Sequence, residues 1–384
     1  MRTTLIFVLA HAVLCGSADA QSIAITNATV YTSPDASAQT HTTILIQGGK
    51  VAAVARNVVV PPGVRTLPCQ GCVVFAGFWN SHVHFTGPQW AGADRVPAAQ
   101  LSRDMRAMLT HSGFTTVVDT ASDVSNTVVL RRRVQSAEVA GPRIYTAGFA
   151  LFPPHGIPFY LDDMTATAHA KLQDPATPVE AVKSVRSNIS QGSDIVKLFT
   201  GSYLSPDEIT HMPLEIAQAA ASEGHRHGQP IFAHPSDLQG IRVAIDSGVD
   251  VLAHAPDTIG GIDTTLVKEL VAHHVKMIPT LKLFSGSSHI DLIRKIVAQF
   301  HADEGTLLQL ALTGLSFHDV LAMLTTNPAA EFKVLMIEDG LKRQDGAAAA
   351  YVAAKVAGIR DPFTVCAQYG ARQRHADEIR VYVE

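Results

Sequence analysis

Five side chains in this sequence have the types and the spacing to hold metal ions. His82 and His84 stand two apart in Asn80-Ser81-His82-Val83-His84. On an extended strand such a pair projects to one face, where two imidazoles can share one ion. His234 and His254 each close a short apolar run, PIFAH at 230–234 and VDVLAH at 249–254. Lys197 lies inside DIVKLF at 194–199, where an ammonium is costly to bury unless it is paired or chemically altered. Taken singly, each has a plainer reading: two polar residues on a loop, a hydrogen-bonded core histidine, a lysine whose head reaches water past an apolar stem. Their repeated placement at successive strand ends favours a metal site over those separate readings.

Such a site needs a scaffold that brings strand ends together. From residue 73 onward, short apolar runs alternate with helix-like segments. The sequence predicts strands at 73–79, 115–119, 143–148, 194–199, 230–234, 249–254 and 276–280. Helices are predicted at 98–112, 178–192, 212–224, 237–248 and 264–274, the middle three closing at Gly192, Gly224 and Gly248. This alternation makes parallel βαβ units, and in an α/β barrel all C-terminal strand ends lie on the one face where active sites are built. An eighth strand would close a (β/α)8 barrel. Only Gly305-Thr306-Leu307-Leu308 is available for it before a helix begins near Ser316, so the eighth strand reads as truncated. Upstream, residues 23–60 read as short strands with Gly48-Gly49 as a hairpin turn, which predicts a small β-subdomain.

Composition narrows the class. The chain has 384 residues, 30 Lys+Arg against 34 Asp+Glu, a net charge of −4, and 47% hydrophobic against 17% charged residues. That balance excludes a disordered tail, a collagen and a coiled coil. The longest run of like charge is Arg131-Arg132-Arg133, too little for a nucleic-acid footprint. Residues 1–20 carry Arg2, an apolar stretch from Leu5 to Leu14, and Ala18-Asp19-Ala20 before Gln21. This predicts a cleaved signal peptide and a secreted or periplasmic protein with no membrane partner after cleavage; the apolar stretch is too short for a transmembrane anchor. Cys69-Gln70-Gly71-Cys72 is a lone CxxC, expected to be two small apolar residues or one local disulfide rather than half of a zinc ribbon.

The motifs GFWNSHVHF (77–85), DIVKLFTGSY (194–203), IFAHPSDLQGIRVAIDSGVDVLAHAPD (231–257), IPTLKLF (278–284) and LAMLTTNPAAEFKV (321–334) resemble the amidohydrolase superfamily, in its imidazolonepropionase-like and Xaa-Pro dipeptidase-like branch. The resemblance implies a distorted (β/α)8 barrel (71–337) with a small β-sandwich subdomain (21–70). It further implies one or two divalent ions, usually zinc, with His82 and His84 on the buried ion and His234 and His254 on the outer one. Lys197, carboxylated to a carbamate, would bridge them. A metal-bound hydroxide would then attack the carbonyl of a small amide or dipeptide substrate. Tyr203 and His155, placed in loops after the fourth and third strands, become candidates for touching that substrate.

Two departures from the family pattern stand out. The aspartate expected at the end of the eighth strand, as a ligand and proton carrier, is absent, because Gly305-Thr306-Leu307-Leu308 runs straight into Gln309. Asp303 and Asp319 are poorly placed to replace it, so the catalytic acid or base is unassigned. After Ile337 the sequence is atypical to residue 384, and 347–357 reads as a helix on propensity. Two functions follow: a secreted metal-dependent hydrolase of carbon–nitrogen bonds impaired by the loss, or a metal-binding relic without turnover.

Overall fold

The computed structural model describes residues 22–255, 264–278, 280, 317–325, 327–328 and 350–354. The chain opens with five strands, β1 (Ile23–Val30), β2 (Gln39–Gln47), β3 (Lys50–Ala55), β4 (Arg65–Pro68) and β5 (Cys72–Ala76). β2 and β3 form an antiparallel hairpin in which Gln47 faces Lys50. The two residues between them, Gly48 and Gly49, both take positive φ, the conformation that a two-residue hairpin turn of matching twist requires. β1 pairs antiparallel with β2 and parallel with both β4 and β5. Its inward residues Ile23, Ile25 and Val30 pack with Ile44, Ile46 and Val74 to form the core of this sheet. Cys69 and Cys72 are buried against it and joined as a disulfide.

The sequence predicts one strand over 73–79, but the structure divides it at Gly77. β5 belongs to the first sheet, whereas β6 (Phe78–Val83) begins a second one. The physical reason lies in the crossing: a Cβ at residue 77 would sit 2.0 Å from Thr115 Oγ1, so the backbone changes sheets where only glycine fits.

β6 is followed by α1 (Ala98–Met108), β7 (Phe114–Asp119), α2 (Val124–Gln135) and β8 (Arg143–Thr146). Then come the short α3 (Ala166–His169), α4 (Pro178–Gln191), β9 (Val196–Phe199) and a hairpin of β10 (Gly201–Ser205) and β11 (Glu208–His211). α5 (Leu214–Arg226), β12 (Ile231–His234), α6 (Leu238–Ser247), β13 (Val251–Leu252), α7 (Thr264–Ala272), β14 (Lys276–Met277) and α8 (Phe317–Leu324) complete the α/β part. β6, β7 and β8 make one parallel sheet; β9, β12, β13 and β14 make another. Six of the seven parallel strands lie within the runs predicted for them, β7 starting one residue before its run; β6 shares only Phe78 and Trp79 with its predicted run. Leu151 ties the two sheets, donating its N–H to Lys197 O while its carbonyl accepts from Phe199 N–H.

Among the described residues the two sheets do not close into a ring, and residues 305–308, the expected eighth strand, lie outside the described residues. The interior is nonetheless shared. Trp79, Val118, Ala147, Ile195, Phe232, Val251, Ala253 and Ile278, drawn from all seven parallel strands or the residues next to them, form one buried cluster. A separate core lies between the four-stranded sheet and α4, α5 and α6.

Local chemistry explains most boundaries. Thr177 and Asp237 cap α4 and α6 by accepting the N–H groups of Glu180 and Gly240, and the helices end at Gly192 and Gly248. α5, in contrast, runs through the predicted stop at Gly224 as far as Arg226. Gly224 is buried, and a Cβ there would lie 2.5 Å from Ile231 Cδ1. This glycine serves the close approach of helix to strand, not helix termination. α2 and the β10–β11 hairpin were not expected.

The predicted helix at 347–357 is corrected. Residues Ala350–Ala354 form a strand, β15, antiparallel to β5 with Ala350 opposite Ala76 and Ala354 opposite Cys72. Alanine's helix propensity is a weak preference, and the unpaired edge of β5 supplies hydrogen bonds that outweigh it. The described strands of this part form one six-stranded mixed sheet. No helix among the described residues is long and apolar enough to cross a membrane.

Candidate metal centre

The four histidines stand near or just past the C-terminal ends of β6, β12 and β13, and Lys197 lies inside β9. His82 lies within β6 and His84 one residue beyond it, with Val83 buried between them. His82 Nδ1 is 2.9 Å from the carbonyl oxygen of Ala253, past the end of β13, and His84 Nδ1 is 2.8 Å from that of Ala121, past the end of β7. A carbonyl can only accept, so both rings carry their proton on Nδ1 and turn an Nε2 lone pair inward. Those two Nε2 atoms are 3.1 Å apart. Two lone pairs facing each other at that distance repel unless a cation lies between them. Zinc–imidazole bonds of about 2.0–2.1 Å at a tetrahedral angle put two ligand nitrogens roughly 3.3 Å apart, so the pair fits one shared ion.

His234 is the last residue of β12. Its ring stacks on Phe199 at 4.5 Å and meets His254 edge-on at 4.5 Å, and its Nε2 is buried with no hydrogen-bond partner among the described residues. The ring of His254 lies 4.4 Å from that of His82, and its Nδ1 is 3.0 Å from Thr280 Oγ1. Lys197 is 1% exposed, with Nζ 5.6 Å from the centre of the Phe199 ring. Burial brings its pKa down to about 7. Burial first holds His82, His234 and His254 well below the usual imidazole range, followed by the Lys197 charge for His82 and His234 and by His82 and His234 for His254. Burial likewise lowers His84 to about 4, although water reaches its ring at the mouth of the site.

All five groups are therefore uncharged or easily made so, which is the state in which nitrogen ligands bind metal. The orphaned Nε2 of His234 and the opposed Nε2 atoms of His82 and His84 fit a divalent ion as occupant. Among the described residues, however, no three His, Cys, Asp or Glu donors converge tightly enough to enclose an ion. His82 and His84 alone are already at ligand spacing.

Of the two residues expected in loops, Tyr203 lies on a strand and His155 lies in a connection. Tyr203 is half-buried on β10, opposite Ile209 in the hairpin. His155 is exposed in the connection after β8, with φ of 55° and its N–H directed at Asp174. Two features of this face escaped the sequence reading. Asp119 ends β7 with a fully buried carboxylate that accepts from Ser122 and Thr146. His211 at the end of β11 lies 2.8 Å from Asp237, fastening the hairpin to the start of α6. The strand-end acid in TTVVD was the available signal for the first; the second joins residues 26 positions apart and left none.

No family model and no curated protein matches the sequence. Solved structures do match. One is a Xaa-Pro dipeptidase with methionine bound in its active site, at a TM-score of 0.71 and 18% identity, covering 90% of this chain and 96% of that one. An amidohydrolase matches at 0.66 and 18%, covering 90% and 95%. Phenylurea hydrolase B matches at 0.71 and 18%, covering 90% and 94%. The chain has the amidohydrolase fold. On the amidohydrolase fold seen here, the five nitrogen side chains occupy the end of the parallel strands toward which His82, His234 and His254 all turn.

Proposed function

We propose that the chain is a metal-dependent hydrolase of carbon–nitrogen bonds in small amides or dipeptides, a member of the amidohydrolase superfamily near its Xaa-Pro dipeptidase-like branch. The observation that carries this reading is the cluster of four neutral imidazoles and a buried lysine at parallel strand ends. The single interior shared by all seven parallel strands supports a distorted barrel, with the first sheet as its β-subdomain.

In this reading His82, His84, His234 and His254 hold one or two divalent ions, zinc by donor type. Bound there, the metal supplies Lewis-acid polarisation of a scissile carbonyl. Lys197 has the environment for carboxylation: its neutral amine forms an N–C bond to carbon dioxide and loses a proton, leaving an anionic carbamate whose oxygens can bridge two cations. That change gives an otherwise unpaired buried nitrogen a partner. The Ala253 and Ala121 carbonyls hold the His82 and His84 rings with Nε2 inward, and the Phe199 ring shields His234 from water. Tyr203 and His155 contact substrate from the surrounding segments. Export across a membrane, with removal of residues 1–20, accords with the Cys69–Cys72 disulfide, since such bonds persist in oxidising compartments.

The missing eighth-strand aspartate falls in 305–314, outside the described residues. Its absence from the sequence leaves the general acid or base unassigned, a group that typically contributes about 10²–10⁴-fold. Purified protein is expected to contain zinc by elemental analysis. It should hydrolyse Xaa-Pro dipeptides at least about a hundredfold more slowly than a version with a Gly-Thr-Asp strand and loop inserted between Leu308 and Gln309. Metal-free protein that takes up no zinc would refute the hydrolase reading; equal kcat/KM in the two versions would refute the impairment.

A further inference from the structure

The buried carboxylate of Asp119 has no part in the reading above, yet it lies one turn of chain from a proposed ligand. Asp119 is the last residue of β7, opposite Val83 of β6 and Thr146 of β8. Its side chain is wholly buried, and burial pushes its pKa up to about 6. One oxygen accepts the Ser122 hydroxyl at 2.6 Å, the other the Thr146 hydroxyl at 2.7 Å.

The consequence runs through Ser122. Its Oγ accepts the N–H of Phe85 at 2.8 Å, directly after His84. Of the two acceptors within reach, the Asp119 carboxylate at 2.6 Å and the Ala121 carbonyl at 2.8 Å, the carboxylate is the stronger and the nearer, so the Ser122 hydroxyl donates to it and its oxygen accepts the Phe85 N–H. Ser122 also donates its own N–H to Gly148 O, and Thr120 donates its N–H to Val83 O. The turn 120–122 is therefore fastened to β6 on one side and to the segment after β8 on the other. Between these anchors stands Ala121, whose carbonyl takes the His84 Nδ1 proton.

We infer that Asp119 is a positioning residue for the metal centre: through Ser122 it fixes the 120–122 turn whose Ala121 carbonyl sets the tautomer and orientation of His84. This rests on the metal-centre reading. Partners that orient a ligating histidine typically alter metal affinity by about 10–100-fold when lost. Thr146 provides a weaker route for comparison: its hydroxyl touches the other carboxylate oxygen and accepts the Gly148 N–H, so it reaches the turn only through the backbone of Gly148.

The test uses full-length protein labelled with ¹⁵N in its histidines. Zinc affinity is measured by chelator competition, and the His84 tautomer by nitrogen chemical shifts in the metal-free state. Ser122→Ala and Asp119→Ala are expected to bind zinc about 10–100-fold more weakly and to show a mixed His84 tautomer. Asp119→Asn keeps an oxygen acceptor for Ser122 and should stay within about threefold of wild type. Thr146→Val, which loosens the turn only through Gly148, should lose thermal stability with a clearly smaller drop in affinity than Ser122→Ala. If Asp119→Ala does not fold, Ser122→Ala decides by itself. Retained tautomer and affinity in Ser122→Ala, or an equal loss in Thr146→Val, overturns the inference. A wild type that binds no zinc defeats the metal-centre reading instead, and the tautomer measurement still decides what Asp119 and Ser122 do.

Discussion

The two sides of the histidine cluster are built differently. On the β6–β7 side, His82 and His84 are each held by a backbone carbonyl, and their Nε2 atoms already sit 3.1 Å apart. On the β9–β12 side, Lys197 and His234 are buried with no hydrogen bond or ion pair to their side-chain nitrogens among the described residues. The difference teaches which half is preformed. Backbone carbonyls fix the His82 and His84 rings whatever occupies the site, whereas the described residues offer the Nε2 of His234 no partner.

The largest expected effect breaks the comparison outright. Replacing both His82 and His84 with alanine should weaken metal binding at least about a hundredfold, because it removes a pair whose Nε2 atoms already stand at ligand spacing. Replacing His234 and His254 should leave close to one tightly bound equivalent. Equilibrium dialysis with elemental analysis distinguishes the two, and equal losses would show the halves to be equivalent.

Next in size is the metal-free stability of the unpaired side. The Lys197 pKa falls from 10.5 to about 7 on folding. A folded-state value below the unfolded one means that the unfolded chain holds the extra proton between those pH values. Stability of wild type should therefore rise as pH increases from about 7 to 10.5, and at pH 7 it carries a penalty on the order of 4 kcal/mol. Lys197→Met removes the amine at similar volume. Urea denaturation of chelator-treated protein should show the variant more stable at pH 7 and nearly independent of pH above it as far as this group is concerned. Parallel pH profiles for the two proteins would count against a buried neutral lysine.

The smallest effect sharpens the comparison within a single ligand. His254 is steadied by a side chain, Thr280, and not by a carbonyl. Thr280→Val should cost about tenfold in metal affinity, the low end for loss of an orienting partner. An unchanged affinity would place His254 among ligands that the metal itself orients.

Much of this site was legible because metal ligands are few in type and strands alternate in direction. The HxH pair, the two strand-terminal histidines and the lysine in an apolar strand were singled out from residue type and strand position alone. Seven strands were located for a related reason: short apolar runs between helical segments have few other uses in an α/β chain. The break at Gly77, the passage of α5 through Gly224 and the strand at Ala350–Ala354 were not legible. Each depends on a neighbour distant in sequence: Thr115 beneath Gly77, Ile231 beneath Gly224, and the open edge of β5 beside Ala350–Ala354.

The sequence by itself thus named the candidate donors, the alternation of most strands and helices, and the run of Leu308 straight into Gln309, since these are matters of residue type and local periodicity. Only the tertiary structure decided which donors are preformed and which are left waiting. The carbonyls of Ala121 and Ala253, the ring of Phe199 and the carboxylate of Asp119 act across strands. A side chain's protonation and orientation follow from what surrounds it in space, and periodicity along the chain does not carry that information.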